Sequence, residues 1–152
     1  MKINLKFLKF SLKFKSLVLL AFMALPLTSS GQVALITAEE AQRPDSPLKL
    51  TRGITRGPSI KLLSNATVDA KSFAFNLMIE PRGGSKIIPA SLKVEYLKEP
   101  VIDLTDRFKS AFNGAQIEIT KASVPIGLHA LKVSIKDTDG RDASTVISLE
   151  AK

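Results

Sequence analysis

The 152-residue chain carries 22 basic and 14 acidic residues, a formal net charge of +8, with one histidine and no cysteine or tryptophan. The lack of cysteine excludes a disulfide framework, a thiol nucleophile and a lipid-bearing N-terminal cysteine. Five lysines crowd the first fifteen residues, and without residues 1–31 the balance is 17 basic to 14 acidic, which is not the basic stripe interleaved with aromatics that nucleic-acid binding requires.

Lys2, Lys6, Lys9, Lys13 and Lys15, with no acid among them, lead into an apolar run over residues 17–25. That run is shorter than the roughly 18 to 20 residues a membrane-spanning helix needs. Pro26 breaks it, and small residues follow over 28–31. This is the layout of a secretory signal peptide, cleaved after Ser30 or Gly31. The expected product is exported, periplasmic or secreted, with no stable membrane insertion once residues 1–31 are removed. What remains suits a single domain of ordinary size.

Residues 32–58 mix small and polar residues with Pro44, Pro47 and Pro58 and hold neither period, so they read as an extended arm or linker. Within them the near-repeat of Thr51, Arg52 and Gly53 with Thr55, Arg56 and Gly57 either offers two guanidinium groups to an anion or is an irregular lead-in to the first strand. A domain over 59–152 follows. Ile60 and Leu63 bound a short apolar run. Phe73, Phe75, Leu77 and Ile79 then alternate with polar or small neighbours, the period-2 signature of a half-buried strand. A loop rich in proline and glycine over 81–85 ends it. Leu92, Val94 and Tyr96 predict another strand, closed by Pro100.

At Asp103 the period changes. Leu104, Phe108, Ala111 and Phe112 share one helical face, predicting a short amphipathic helix over 103–112 with Asp103 or Thr105 as N-cap and Asn113 and Gly114 as its end. Ile117 and Ile119 resume alternation until Pro125 and Gly127 interrupt it. Leu131, Val133 and Ile135, then residues 143–149, flank a turn over 137–142 and predict a β-hairpin. The expected core is Phe73, Phe75, Leu77, Ile79, Val94, Tyr96, Phe108, Leu131, Val133 and Ile135.

Short strands separated by turns, with one helix, indicate an antiparallel sandwich. The stretch over 125–140, where Pro125 and Gly127 approach an alternating strand and Asp137 and Gly140 form its turn, resembles the closing hairpin of bacterial immunoglobulin-like domains. Residues 88–94 resemble the start of a middle strand in such domains. The likeness covers about half of the sequence after the leader, and both cysteines and the tryptophan of the antibody type are missing. It implies an all-β, immunoglobulin-like antiparallel sandwich with one short helix, and a role in binding or spacing within the cell envelope rather than an activity.

No catalytic constellation accompanies this pattern. His129 is the sole histidine and sits at the start of a strand, where it is expected to be a strand residue rather than a general base. No cluster at metal-ligand spacing occurs, so neither a metal nor another cofactor is expected. Asp137, Asp139 and Asp142 around Gly140 are similar to a calcium loop, but Ile135 stands where the first ligand of the EF-hand pattern would be; turn chemistry is the first reading, and calcium held in another loop arrangement the alternative. Ser46 and Lys49 match the Ser-x-x-Lys spacing of penicillin-recognising enzymes, yet Pro47 forbids the helix interior that pattern needs. The loop at Arg82 lacks the lysine and helix of a phosphate loop.

The expected function is a non-enzymatic, exported bacterial module that recognises an envelope component or extracellular ligand, protein or glycan, through its loops. The alternative is an accessory subunit of a larger envelope or secretion assembly, contacting its partner by an edge strand. Alternating strand directions gather Arg56, Arg82 and Lys86 beside Asp137, Asp139 and Asp142 at one end, with Arg52 nearby in the near-repeat. These seven residues are the candidate contact set, as solvated ion pairs or as a recognition surface.

Overall fold

The computed structural model describes residues 31–47 and 56–152, so the expected leader, apart from Gly31, and Arg52 lie outside the described residues. Among the described residues nine strands form two sheets. They are β1 (Val33–Ala34), β2 (Ser59–Leu62), β3 (Thr67–Val68), β4 (Phe73–Glu80), β5 (Ile87–Tyr96), β6 (Ile102–Asp103), β7 (Gln116–Ser123), β8 (Gly127–Asp137) and β9 (Asp142–Ala151), with helices α1 (Ala38–Ala41) and α2 (Thr105–Lys109). One sheet runs β1-β7-β4-β2 and the other β3-β9-β8-β5-β6. All pairs are antiparallel except β1 with β7 and β3 with β9.

The order β2, β4, β7 against β9, β8, β5 is that of strands A, B, E against G, F, C in an immunoglobulin-like sandwich, with β3 continuing the first strand into the second sheet. Side-chain alternation explains why the layers close. Phe73, Phe75, Leu77 and Ile79 on β4 point inward, and Leu131, Val133 and Ile135 on β8 face them from the other sheet. All ten residues expected in the core are buried. Phe75 meets Phe108 of α2 edge to face, with ring centroids 5.5 Å apart.

The helix is shorter than the sequence suggests. Leu104, not Asp103 or Thr105, occupies the N-cap position and makes no side-chain cap bond. Asp103 Oδ1 instead accepts the Thr105 N–H at 2.8 Å, and Thr105 Oγ1 accepts the Val94 N–H at 3.0 Å, which ties α2 to β5. Ala111 and Phe112 remain half-buried against the core beyond the last helical turn.

Residues 32–47 depart from the expected extended arm. Val33 and Ala34 pair with Ala122 and Ser123 of β7, and Leu35 and Ile36 are buried. Thr37 and Glu40 form a reciprocal capping box at α1. Arg107 Nη1 donates to the Leu35 carbonyl and to Glu40, both at 2.8 Å, while its Nη2 reaches Glu40 Oε1 at 2.7 Å. The segment fills the sheet edge beside β7 at the point where α2 stands in for a further strand. A two-residue strand and a four-residue helix are too short to express either period, which is why the sequence reads as featureless there.

Candidate functional site: the charged end of the sandwich

Three segments meet at one end of the domain. Gly57, just before β2, lies so close to β9 that a Cβ on it would stand 2.6 Å from the Asp142 carbonyl oxygen, a space only glycine fits. The β4–β5 loop docks on the β8–β9 turn through backbone: the Thr138 N–H donates to the Lys86 carbonyl at 2.8 Å, and the Lys86 N–H to Thr138 Oγ1 at 3.1 Å. Gly140, at φ +76°, supplies the left-handed residue the turn needs.

Asp137 organises this end. Its carboxylate is fully buried, and Oδ1 accepts the N–H groups of Asp139 at 3.0 Å and Arg141 at 2.9 Å. The Ser85 hydroxyl stands 3.0 Å from Asp137 Oδ2 and 2.7 Å from the Arg82 carbonyl, sharing its one proton between them. Burial alone would raise the pKa of Asp137. The hydrogen bonds from Arg141, Ser85 and Asp139 outweigh it and hold the carboxyl below its ordinary value of 3.8. Asp137 was expected among the contact residues; buried and saturated with donors, it positions the loops instead. Asp137→Ala is expected to lower the melting temperature and to speed amide exchange at Asp139 and Arg141, because it leaves both N–H groups without their acceptor. Unchanged exchange at both positions would refute that role.

Around this buried carboxylate Arg56, Arg82, Lys86, Asp139 and Asp142 are exposed. Asp139 pairs with Arg141 at 3.0 Å, with both side chains largely solvated. Arg56, Arg82 and Lys86 have no carboxylate within ion-pair distance among the described residues. Arg141, whose Nη1 would stand 3.5 Å from a Cβ on Gly83, belongs to the set and was missed. Its position inside the turn motif was the available signal.

The opposite end holds the one histidine. His129 Nε2 stands 2.7 Å from the Pro125 carbonyl, an acceptor only, so the neutral ring's proton sits on Nε2. Nδ1 then accepts from the Tyr96 hydroxyl at 2.8 Å. Burial pushes the Tyr96 phenol above its usual pKa and keeps it a donor. A shallow depression of about 160 Å³ brings Asp45 and Ser148 near His129, but both ring nitrogens are engaged elsewhere and none is left to activate a serine. Among the described residues no three His, Asp or Glu side chains gather to hold a metal, and no helix is long and apolar enough to cross a membrane.

The chain matches no family model and no curated protein. Among solved structures it is similar to the solution structure of the PKD domain from human VPS10 domain-containing receptor SorCS2, at 12% identity. That likeness covers 73% of this chain and 85% of the other, with a TM-score of 0.37.

Proposed function

We propose that the protein is a non-enzymatic, exported bacterial module of the cell envelope or extracellular space, which recognises an envelope component or extracellular ligand, protein or glycan, through the loops at its charged end. The observation that carries this reading is the trio Arg56, Arg82 and Lys86, exposed and without carboxylate partners among the described residues, on loops fixed by a buried carboxylate. Solvated cations held on a rigid frame can meet a carboxylate or phosphate with little ordering cost, and arginine does so in bidentate geometry. The leader-like sequence over residues 1–31 supports export, and a binding role is supported by His129, whose two ring nitrogens are both engaged, and by the absence of a metal-holding cluster among the described residues.

Affinity capture from the native compartment tests it. Charge reversal by Arg56→Glu with Arg82→Glu is expected to abolish partner capture and leave the melting temperature nearly unchanged, since neither side chain is buried. Capture that survives both reversals places the recognition surface elsewhere.

A further inference from the structure

Ile126 and Leu128 are 79% and 74% exposed, the most exposed large hydrophobic side chains among the described residues. Isolated apolar residues on a surface are ordinary, but these two share the short connection between β7 and β8, and that connection is fixed. Val124 is buried, and its N–H donates to the Ala70 carbonyl at 3.1 Å. Pro125 sets its own backbone angle, and its carbonyl accepts the His129 Nε2 proton at 2.7 Å. Alternation along β8 turns His129 inward and Leu128 outward. Both apolar side chains thus stand in solvent on a loop that is already ordered, and covering them costs little conformational entropy.

The sequence upstream of the sandwich points to what covers them. Gln32 donates its side-chain amide to the carbonyl of Lys71, the neighbour of the Ala70 that holds Val124. The apolar run over 17–25 ends seven residues before Gln32, a reach of at most about 25 Å. A leader of this layout enters a bilayer during export, and for that time this end of the domain is confined close to the membrane surface. Around the loop, exposed Lys71 and Lys152 are matched by exposed Asp69 and Glu99, so the rim carries both signs, as a zwitterionic headgroup layer does.

We propose that Ile126 and Leu128 enter the headgroup layer of a zwitterionic bilayer, so that the sandwich rests on the membrane surface by its β7–β8 loop without crossing it. The contact is two side chains deep, weak and reversible, which sets it apart from an anchor. It is independent of the charged loops, which lie at the far end of β8, eleven residues along the strand.

The chain from Gln32 onward holds both sheets and every core residue described above, and it contains no tryptophan. In Leu128→Trp the indole is therefore the single reporter. On vesicles of phosphatidylcholine and phosphatidylethanolamine its emission is expected to shift to the blue and to be quenched by brominated lipid. Ile88→Trp, at the other end of the sheet where Ile88 pairs with Lys136, is expected to report no change. Ile126→Ser with Leu128→Ser is expected to weaken vesicle binding by about tenfold or more, the scale set by withdrawing exposed apolar side chains from water. Its melting temperature is expected to stay put, because neither side chain packs in the core. Binding through an apolar loop persists in high salt, whereas a contact made through Arg82 and Lys86 is screened. Failure of the unaltered protein to float with vesicles, an equal response from Ile88→Trp, or binding that salt removes overturns the proposal.

Discussion

Phe75→Ala is expected to destabilise the domain by about 3 to 5 kcal/mol, the usual loss for a buried phenylalanine. Phe75 is fully buried on β4, opposite Ile119 of β7, and its ring meets Phe108 edge to face. Truncation removes the contact between sheet and helix and leaves a void that neither neighbouring strand can collapse into without breaking its ladder. A single domain with net stability in the ordinary range would lose a large part of it. Thermal unfolding checks this. A melting curve that does not move would mean that the ring does not hold α2 to the sheet.

Glu40→Gln is expected to cost about 1 to 3 kcal/mol at neutral pH, the scale of hydrogen bonds to a charged group that is partly screened by solvent. The Glu40 side chain is 14% exposed and accepts both arms of the Arg107 guanidinium. That bonding lowers its pKa from 4.5 to about 2. Because the folded value lies below the unfolded one, the stabilisation is fully present above about pH 4.5 and is lost as the pH falls toward 2. The melting temperatures of the wild type and Glu40→Gln are therefore expected to converge across that window and to stay parallel above it. A constant difference from pH 7 to pH 2 would show that the glutamine disturbs packing rather than an ion pair.

What sequence reading reached and what it missed divide along element length. β4 and β8 are long enough to repeat the two-residue period several times, and every inward residue named on them is buried. The hairpin turn was legible because Asp137 and Gly140 have specific turn chemistry. The gathering of Arg56, Arg82 and Lys86 at the hairpin end followed from alternating strand directions, and the loops do meet there. The role of Asp137 was not legible, because its burial depends on Ser85, fifty-two positions away in the chain. Nor was the packing of Leu35 and Ile36, since their partners are an edge strand and an arginine far along the sequence. Local pattern reveals which face of an element turns inward; which distant loop lands on a side chain is a property of the closed sandwich.

The two ends of the described domain lean on the same short stretch of chain. Gln32 donates its side-chain amide to the Lys71 carbonyl, and the Lys152 carbonyl accepts the Ala70 N–H at 3.0 Å. A brief linker would therefore join residue 152 to residue 32 across a single corner, and the chain could be reopened at Gly83 and Gly84, in an exposed loop, with the sheets kept whole. β9 runs away from that corner for ten residues to reach the hairpin turn. Anything tethered at either extremity thus hangs from one pole of the domain while Arg82, Lys86 and Arg141 face outward from the other, and a fusion, label or support attached there leaves the cationic pole free.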